Sequence, residues 1–390
     1  MSECRNIEFP NLHDAEFMSD GQKVMGKLKR IRNGGLSERF YHILLGIFKK
    51  FPLRKQVLFI SIRKDGKLEG NAKALYPHIK GKKTVCAKML PHSFWQKIKM
   101  NYHIFTSRVI VTDDYLRYLQ NQPLRESQRV IQLWHACGAF KKFGQYGSNM
   151  SVAMDHASHV QYNLVTVSSE PVREIYADAF DIDIGKVQAL GCPRTDCFFD
   201  KEWIQGLKKR IYAEYQDWHG REIILYAPTF RDTDRGRSSF CPKLDFERLS
   251  EELLPEQIFI VCPHPVMTKK IVPGEFHNIR EVRNFSTNEL MFVSDMLITD
   301  YSSVIFEYVL LDKPIIFFCY DLEEYDRDFY IHYPDDLPGE VYKTQEELME
   351  FLCGENRHRR SEKYGEFLEH YMSACDGHSC ERIAEVINLY

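Results

Sequence analysis

The stretch Thr299-Asp300-Tyr301-Ser302-Ser303-Val304-Ile305-Phe306-Glu307-Tyr308 decides how this chain folds. Apolar Met296-Leu297-Ile298 runs into it as a strand, and Ile305, Phe306, Val309 and Leu310 supply the helical face that leaves it. A buried strand turning directly into a helix is the unit of a doubly wound α/β sheet. Ser302 and Ser303 stand at the helix start, where unpaired N–H groups and the positive end of the helix dipole favour a phosphate. Glu307, four residues past Ser303, lies one turn along the same face, where a carboxylate can take a ribose diol. Ser, Thr and Asp are also ordinary caps at this position, so the rest of the chain must decide between a cap and a nucleotide seat.

Working outward, the same unit recurs. Short apolar runs at 57–62, 84–87, 109–111, 130–133, 164–167 and 187–190 alternate with polar, helix-like stretches. After a charged stretch at 201–216, a second series follows at 223–226, 258–261, 296–298 and 315–318. The alternation predicts parallel sheets covered on both faces. Gly and Pro in Gly191-Cys192-Pro193-Arg194-Thr195-Asp196 mark a linker between the two series. The expected fold class is α/β of GT-B type: two doubly wound Rossmann-like domains face a central cleft, with a basic N-terminal helical lead-in. Its parts are a lead-in over 1–55, an N-terminal domain over 56–195, a C-terminal domain over 196–343 and C-terminal helices over 344–390. Ligands of such sheets collect beyond the carboxyl ends of the strands.

A length of 390 residues with 44% hydrophobic and 13% aromatic content is enough for two cores. The apolar run 43–48 ends at Lys49-Lys50, far short of the ~20 residues that span a bilayer. Residues 1–20 have no apolar signal core, so a cytoplasmic protein is expected. Eleven scattered cysteines read as core residues rather than a disulfide framework. Cys192/Cys197 and Cys375/Cys380 lack the partners of a zinc set, and no structural metal is expected. Asp181-Ile182-Asp183 imitates the metal-binding carboxylates of some sugar transferases, but it precedes Gly185 in a turn-like setting.

Charge is divided unevenly. Residues 22–108 hold 21 Lys and Arg against three acids, a net +18, so the remainder carries −21 of the overall −3. Within this part Phe40, Ile43, Leu44, Ile47, Phe48 and Phe51 draw one apolar stripe along a helix, closed by Lys49, Lys50, Arg54 and Lys55. Such a helix can lie in the headgroups of an acidic membrane, or it can pack on its own domain. No nucleic-acid-binding pattern accompanies the charge, so nucleic acid is not an expected partner.

The chemistry gathers at strand ends. Strand 130–133 runs into Trp134-His135-Ala136-Cys137-Gly138-Ala139-Phe140-Lys141-Lys142-Phe143-Gly144, which places His135 to accept a proton near neutral pH. A single histidine is as easily a loop residue; its company gives it weight. Tyr226-Ala227-Pro228-Thr229-Phe230-Arg231-Asp232 follows one strand of the second series and Cys262-Pro263-His264-Pro265 the next. With Ser302 and Ser303 they make three strand ends directed at one cleft. Arg194 can supply a guanidinium that pairs two phosphate oxygens at once. Cys137 raises a Cys/His nucleophile, or is simply a small residue in a tight turn.

In this order, Trp134-His135 through Lys141-Lys142-x-Gly144, Gly191-x-Pro193-Arg194-x-Asp196, Ala227-Pro228-Thr229-Phe230-Arg231-Asp232, His264-Pro265 and Thr299-Asp300-Tyr301-Ser302-Ser303-x-x-Phe306-Glu307 resemble the CDP-glycerol glycerophosphotransferase family of teichoic acid synthesis. The likeness runs over about 131–339, ending on Pro338-Gly339. It implies an enzyme that moves glycerol phosphate or ribitol phosphate from a CDP-polyol donor to a hydroxyl of a lipid-linked or polymeric acceptor. CMP is released, no cofactor is implied, and the enzyme is peripheral on the inner face of the cell membrane. By position, His135 corresponds to the base and His264 to the group that stabilises the pyrophosphate or leaving phosphate. Trp134, Ala136, Cys137 and Gly138 correspond to the loop beside the transferred group. Arg194, Pro228, Thr229, Ser302, Ser303 and Glu307 correspond to the CDP-polyol contacts, and Arg231, Cys262 and Pro263 are substrate-contact candidates at the neighbouring strand ends. The family loop usually reads Gly-x-Pro where this chain has Ala136-Cys137-Gly138-Ala139, which leaves glycerol against ribitol open. Priming against polymerising also stays open, and the other enzymatic reading is a GT-B glycosyltransferase with a nucleotide sugar donor.

Overall fold

The computed structural model describes residues 36–60, 67–86, 94–115, 124–147, 152–231, 242–325 and 328–390. The first 35 residues and Asp232, both used in the sequence reading, lie outside these ranges. Two six-stranded sheets form the framework. The first contains β1 (Arg54–Ile60), β2 (Lys82–Cys86), β3 (Ser107–Thr112), β4 (Arg129–Gln132), β5 (Leu164–Thr166) and β6 (Val187–Gln188). The second contains β7 (Glu222–Ala227), β8 (Gln257–Val261), β9 (Ile279–Glu281), β10 (Met296–Thr299), β11 (Ile315–Phe318) and β12 (Val341–Tyr342). Their orders are β2-β1-β3-β4-β5-β6 and β12-β11-β10-β7-β8-β9, and every pairing is parallel. Strands such as Ile223-Ile224-Leu225-Tyr226 are apolar at every position because both faces are covered. This is the GT-B arrangement of two Rossmann-like units.

Strand order places the chemistry. The second sheet grows in one direction from β7 through β8 and in the other from β10 through β11, so its switch point lies between β7 and β10. The segments carrying Thr229 and Ser302-Ser303 emerge from those two strands. β8, which leads to His264, is the next neighbour.

Three apolar clusters hold the layers. The largest joins both sheets at their facing sides, with Leu58 and Ile110 from the first, Leu225, Ile260 and Leu297 from the second, and Phe306 and Phe367 between them. The outer face of the second sheet buries Ile224, Phe259 and Ile298 against Leu348 and Leu352 of helix Gln345–Cys353. The outer face of the first buries Val57, Phe59 and Val109 against Ile383 and Ile387 of helix Ser379–Asn388. The chain therefore returns to its first half at the end. Asp196 fixes that return: its carboxylate accepts the N–H groups of Ser379 and Cys380 at 3.0 and 2.7 Å.

The apolar stripe of the lead-in divides in two. Helix Leu36–Phe48 turns Leu44, Leu45 and Phe48 onto the large core, while Phe40, Ile43, Ile47 and the following Phe51 stay exposed. Trp95, 71% exposed, adjoins them on helix Phe94–Thr106, whose Phe94 ring stacks 6.4 Å from Phe40. Asp181 and Asp183 serve local turns. Asp181 ends helix Val172–Phe180 at φ +50° and pairs with His156 at 2.9 Å, and Asp183 accepts the Gly185 N–H. Among the described residues no helix is long and apolar enough to cross a membrane.

Candidate active site

His135 lies three residues past β4, on the side of the first sheet that faces the second. Its side chain is 39% exposed. Arg194 connects it to the other half: Nη1 donates to the His135 carbonyl at 2.7 Å, and Nη2 donates to a Glu307 carboxylate oxygen. Glu307 sits in the short helix Val304–Tyr308, directly after Ser302 and Ser303. One guanidinium thus spans the histidine loop and the serine turn. Burial works most strongly against the charge on Arg194, but Glu307 together with Cys137 and Cys192 outweighs it, and the pKa of the guanidinium is raised.

Close contact between the halves needs a glycine. Gly138 has φ +59°, and a Cβ there would stand 2.4–2.6 Å from the Phe306 ring. From the second half, segment 328–330 clasps the same loop. Lys142 N–H donates to the Asp328 carbonyl at 2.9 Å, Tyr330 N–H donates to the Phe140 carbonyl at 2.8 Å, and Lys141 and Phe329 form a β-bridge.

The floor of the second sheet is tied through Asp300, which is 1% exposed. Its Oδ1 accepts the Thr229 N–H at 2.8 Å, the Thr229 hydroxyl and the Tyr301 N–H at 2.7 Å. Its Oδ2 pairs with Arg231 at 2.9 Å. Arg231 also pairs with Asp321 at 2.7 Å, and its guanidinium lies over the Tyr301 and Tyr325 rings at 4.8 and 5.2 Å. Desolvation opposes its charge, but Asp321 and Asp300 raise its pKa nonetheless.

These partners redistribute the residues chosen from sequence. His135, Ala136, Arg194, Ser302 and Ser303 are partly open and His264 is exposed, so their side chains can meet a ligand. His264 Nδ1 accepts the Val266 N–H at 3.2 Å, which puts the proton of a neutral imidazole on Nε2. Several other side chains face inward and are committed to protein partners. Trp134 is packed among Tyr115, Phe143 and Phe180, with ring centroids 5.1–5.3 Å away, because an indole at this strand end fills the core of the first half. Gly138 gives its N–H to Ser168 and its carbonyl to the Tyr176 hydroxyl, each at 3.0 Å. The Thr229 hydroxyl and the Arg231 guanidinium are spent on Asp300 and Asp321. Pro228 and Pro263 are buried, and Cys262 is buried with its sulfur 3.3 Å from the Thr287 hydroxyl. Glu307, with a side chain 2% exposed, is held by Arg194.

Cys137 is 1% exposed. A hydrogen bond from Cys192 lowers its pKa, yet burial and the Glu307 charge outweigh that bond and raise it, so the thiol stays protonated. That is the opposite of what an activated nucleophile requires. Among the described residues no cluster of three or more His, Cys, Asp or Glu is arranged to hold a metal ion.

Three polar residues near the histidine went unread in the sequence. Asn71, 1% exposed, donates to the Leu133 and Trp134 carbonyls at 3.1 and 2.8 Å and accepts the Arg194 N–H at 3.0 Å. Gln132, fully buried, donates to the Asp114 carbonyl at 2.9 Å and accepts the Trp134 N–H at 2.9 Å. Asp114 places Oδ1 3.9 Å from His135 Nδ1. The available signal was the run Thr112-Asp113-Asp114-Tyr115 at the end of β3, which parallels Thr299-Asp300-Tyr301 at the end of β10.

Known proteins carry the same framework. A family model described as CDP-glycerol:poly(glycerophosphate) glycerophosphotransferase matches residues 44–389. A teichoic acid poly(ribitol-phosphate) polymerase of Bacillus spizizenii is 35% identical over 377 residues, 90% of this chain and 59% of that protein. A teichoic acid ribitol-phosphate primase of the same organism is 36% identical over 300 residues, 74% of this chain and 77% of its own length. The chain therefore spans about three fifths of the first relative and about three quarters of the second. In fold, the wall teichoic acid polymerase TagF superposes with a TM-score of 0.73 at 21% identity, over 95% of this chain and 98% of that one. A UDP-GlcNAc 2-epimerase from Neisseria meningitidis shares the fold more distantly, with a TM-score of 0.55 at 14% identity, over 86% of this chain and all of its own.

Proposed function

The chain belongs to the CDP-glycerol:poly(glycerophosphate) glycerophosphotransferase family, and we propose that it transfers a polyol phosphate from a CDP-polyol to an acceptor hydroxyl, releasing CMP. The acceptor is lipid-linked or polymeric, and the product is a teichoic acid or a related cell-surface polymer. The observation that supports this reading is the Arg194 bridge, which holds a half-open imidazole on one sheet beside a serine turn on the other.

In this reading the diphosphate of the donor lies against Ser302 and Ser303, within reach of the His264 ring. The acceptor hydroxyl loses its proton to His135, and its oxygen forms a bond to the phosphorus that carries the polyol. The bond from that phosphorus to the bridging oxygen breaks, and CMP leaves with the electron pair. Attack at phosphorus makes positioning and charge stabilisation the main contributions of the protein. Incubation with CDP-glycerol and CDP-ribitol, followed by measurement of CMP and sizing of the product by mass, tests the proposal. CMP released in step with acceptor growth is the expected result; release of a nucleoside diphosphate from a nucleotide sugar instead would overturn it.

In this reading the protein works at the cytoplasmic membrane face. Phe40, Ile43, Ile47, Phe51 and Trp95 form an exposed apolar face, with Lys49, Lys50, Arg54 and Lys55 at its end, a combination suited to anionic headgroups. Flotation with vesicles containing anionic lipid is expected to fall as salt rises. Binding that ignores both lipid charge and salt would exclude this face as the anchor.

A further inference from the structure

We propose that Asp114 is the positioning carboxylate of His135, and that Gln132 is the strut that sets their separation. The inference rests on the reading of His135 as the proton acceptor and adds the group that orients it.

The juxtaposition follows from register. β3 and β4 are parallel neighbours with Thr112 opposite Gln132, so Asp114 and His135 leave the same edge of the sheet two and three residues later. Asp114 Oδ1 and His135 Nδ1 stand 3.9 Å apart, inside ion-pair range and beyond a hydrogen bond. Asp114 is itself tethered, because the same oxygen accepts the Tyr115 N–H at 2.7 Å.

The separation is built from buried bonds. Gln132 uses one amide to reach the Asp114 carbonyl at 2.9 Å, the Tyr162 hydroxyl at 2.8 Å and the Trp134 N–H at 2.9 Å. It thereby ties the ends of both strands together. Trp134 has φ +53°, a left-handed conformation that is strained for a side-chain-bearing residue. Its carbonyl is held by Asn71 at 2.8 Å, and the next carbonyl, that of His135, is held by Arg194 at 2.7 Å. Strain of this kind persists only where the surroundings over-determine it, and it gathers at working sites. The backbone on both sides of His135 is fixed while the ring stays open. A carboxylate beside Nδ1 keeps the proton of the neutral imidazole on Nδ1 and presents the Nε2 lone pair to the cleft. Once Nε2 has taken the acceptor proton, the same carboxylate stabilises the imidazolium, and contacts of this type tighten during turnover.

Two measurements test the pair. In histidine-labelled protein, with His135 assigned by its absence in His135→Gln, 15N chemical shifts are expected to report the Nδ1–H tautomer, and Asp114→Asn is expected to shift it toward Nε2–H. In the same variant the kcat for CMP release is expected to fall about tenfold or more, part of the ~10²–10⁴ that a positioned base contributes, while KM for the CDP-polyol stays within about twofold. An Nε2–H tautomer in the unsubstituted protein, or a kcat unchanged by Asp114→Asn, would overturn the proposal. If the unsubstituted protein turned over no CDP-polyol, the functional reading would fail, and the tautomer would still decide whether Asp114 orients His135.

Discussion

Two strand ends carry nearly the same sequence and end in opposite states. Thr299-Asp300-Tyr301 closes β10 with a carboxylate that has taken two N–H groups, a hydroxyl and a guanidinium, and is sealed from solvent. Thr112-Asp113-Asp114-Tyr115 closes β3 with a carboxylate that stops 3.9 Å short of a histidine open to the cleft. The first is a saturated charge network, whose use is to hold the Thr229 and Ser302 segments in place before any ligand arrives. The second leaves a charge partly uncommitted beside a group that can change its own. The proposed binding floor and the proposed proton acceptor thus come from one local pattern, and they differ in how many donors reach the aspartate.

Removing the open side should leave the fold intact. His135→Ala is expected to lower kcat by about 10²–10⁴ while the unfolding transition stays where it was, because the ring is 39% exposed and fills little core. Near-normal turnover would remove His135 from the chemistry and dissolve the contrast. Removing the closed side should do the reverse. Asp300→Ala takes one of two carboxylate partners from a buried Arg231 and leaves the Thr229 segment without its acceptor, and it is expected to cost about 3–5 kcal/mol in chemical denaturation. A mutant as stable as the parent would mean that the β10 end is no more tightly built than the β3 end.

The contrast also marks what could be read from the sequence. Strand runs such as 223–226 and 296–298 were legible because burial on both faces leaves an unbroken apolar signal, and the strand ends with their polar motifs followed from them. The role of Glu307 was not legible. Helical spacing placed it correctly one turn past Ser303, but only tertiary contact shows that Arg194, 113 residues earlier, has already claimed it. Asn71 and Gln132 left no trace for a similar reason: a lone amide has no local pattern, and its meaning comes from backbone groups such as the Trp134 carbonyl, 63 residues from Asn71. The outward half of the lead-in stripe was visible as a helix face, whereas its division at Leu44 and Phe48 depended on where the large core lies.

The seam between the two regions gives the subtlest test. Gly138→Ala would set a methyl against the Phe306 ring, and Phe306 has little room to retreat. It stacks on Phe367 at 5.4 Å with an interplanar angle of 14°, and meets Tyr371 at 5.4 Å and Phe140 at 6.2 Å. Overpacking of this kind costs about 1–3 kcal/mol, and the positive φ of Gly138 adds to the strain. The serine turn is backed by the bonds of Asp300, while the histidine loop hangs on a few carbonyl contacts, so the loop should be the part that yields. The expected kinetic signature is therefore a fall in kcat with KM for the donor nearly unchanged. A rise in KM with kcat preserved would mean that the serine turn moved instead, and that the sealed network around Asp300 is not what holds the donor side in place.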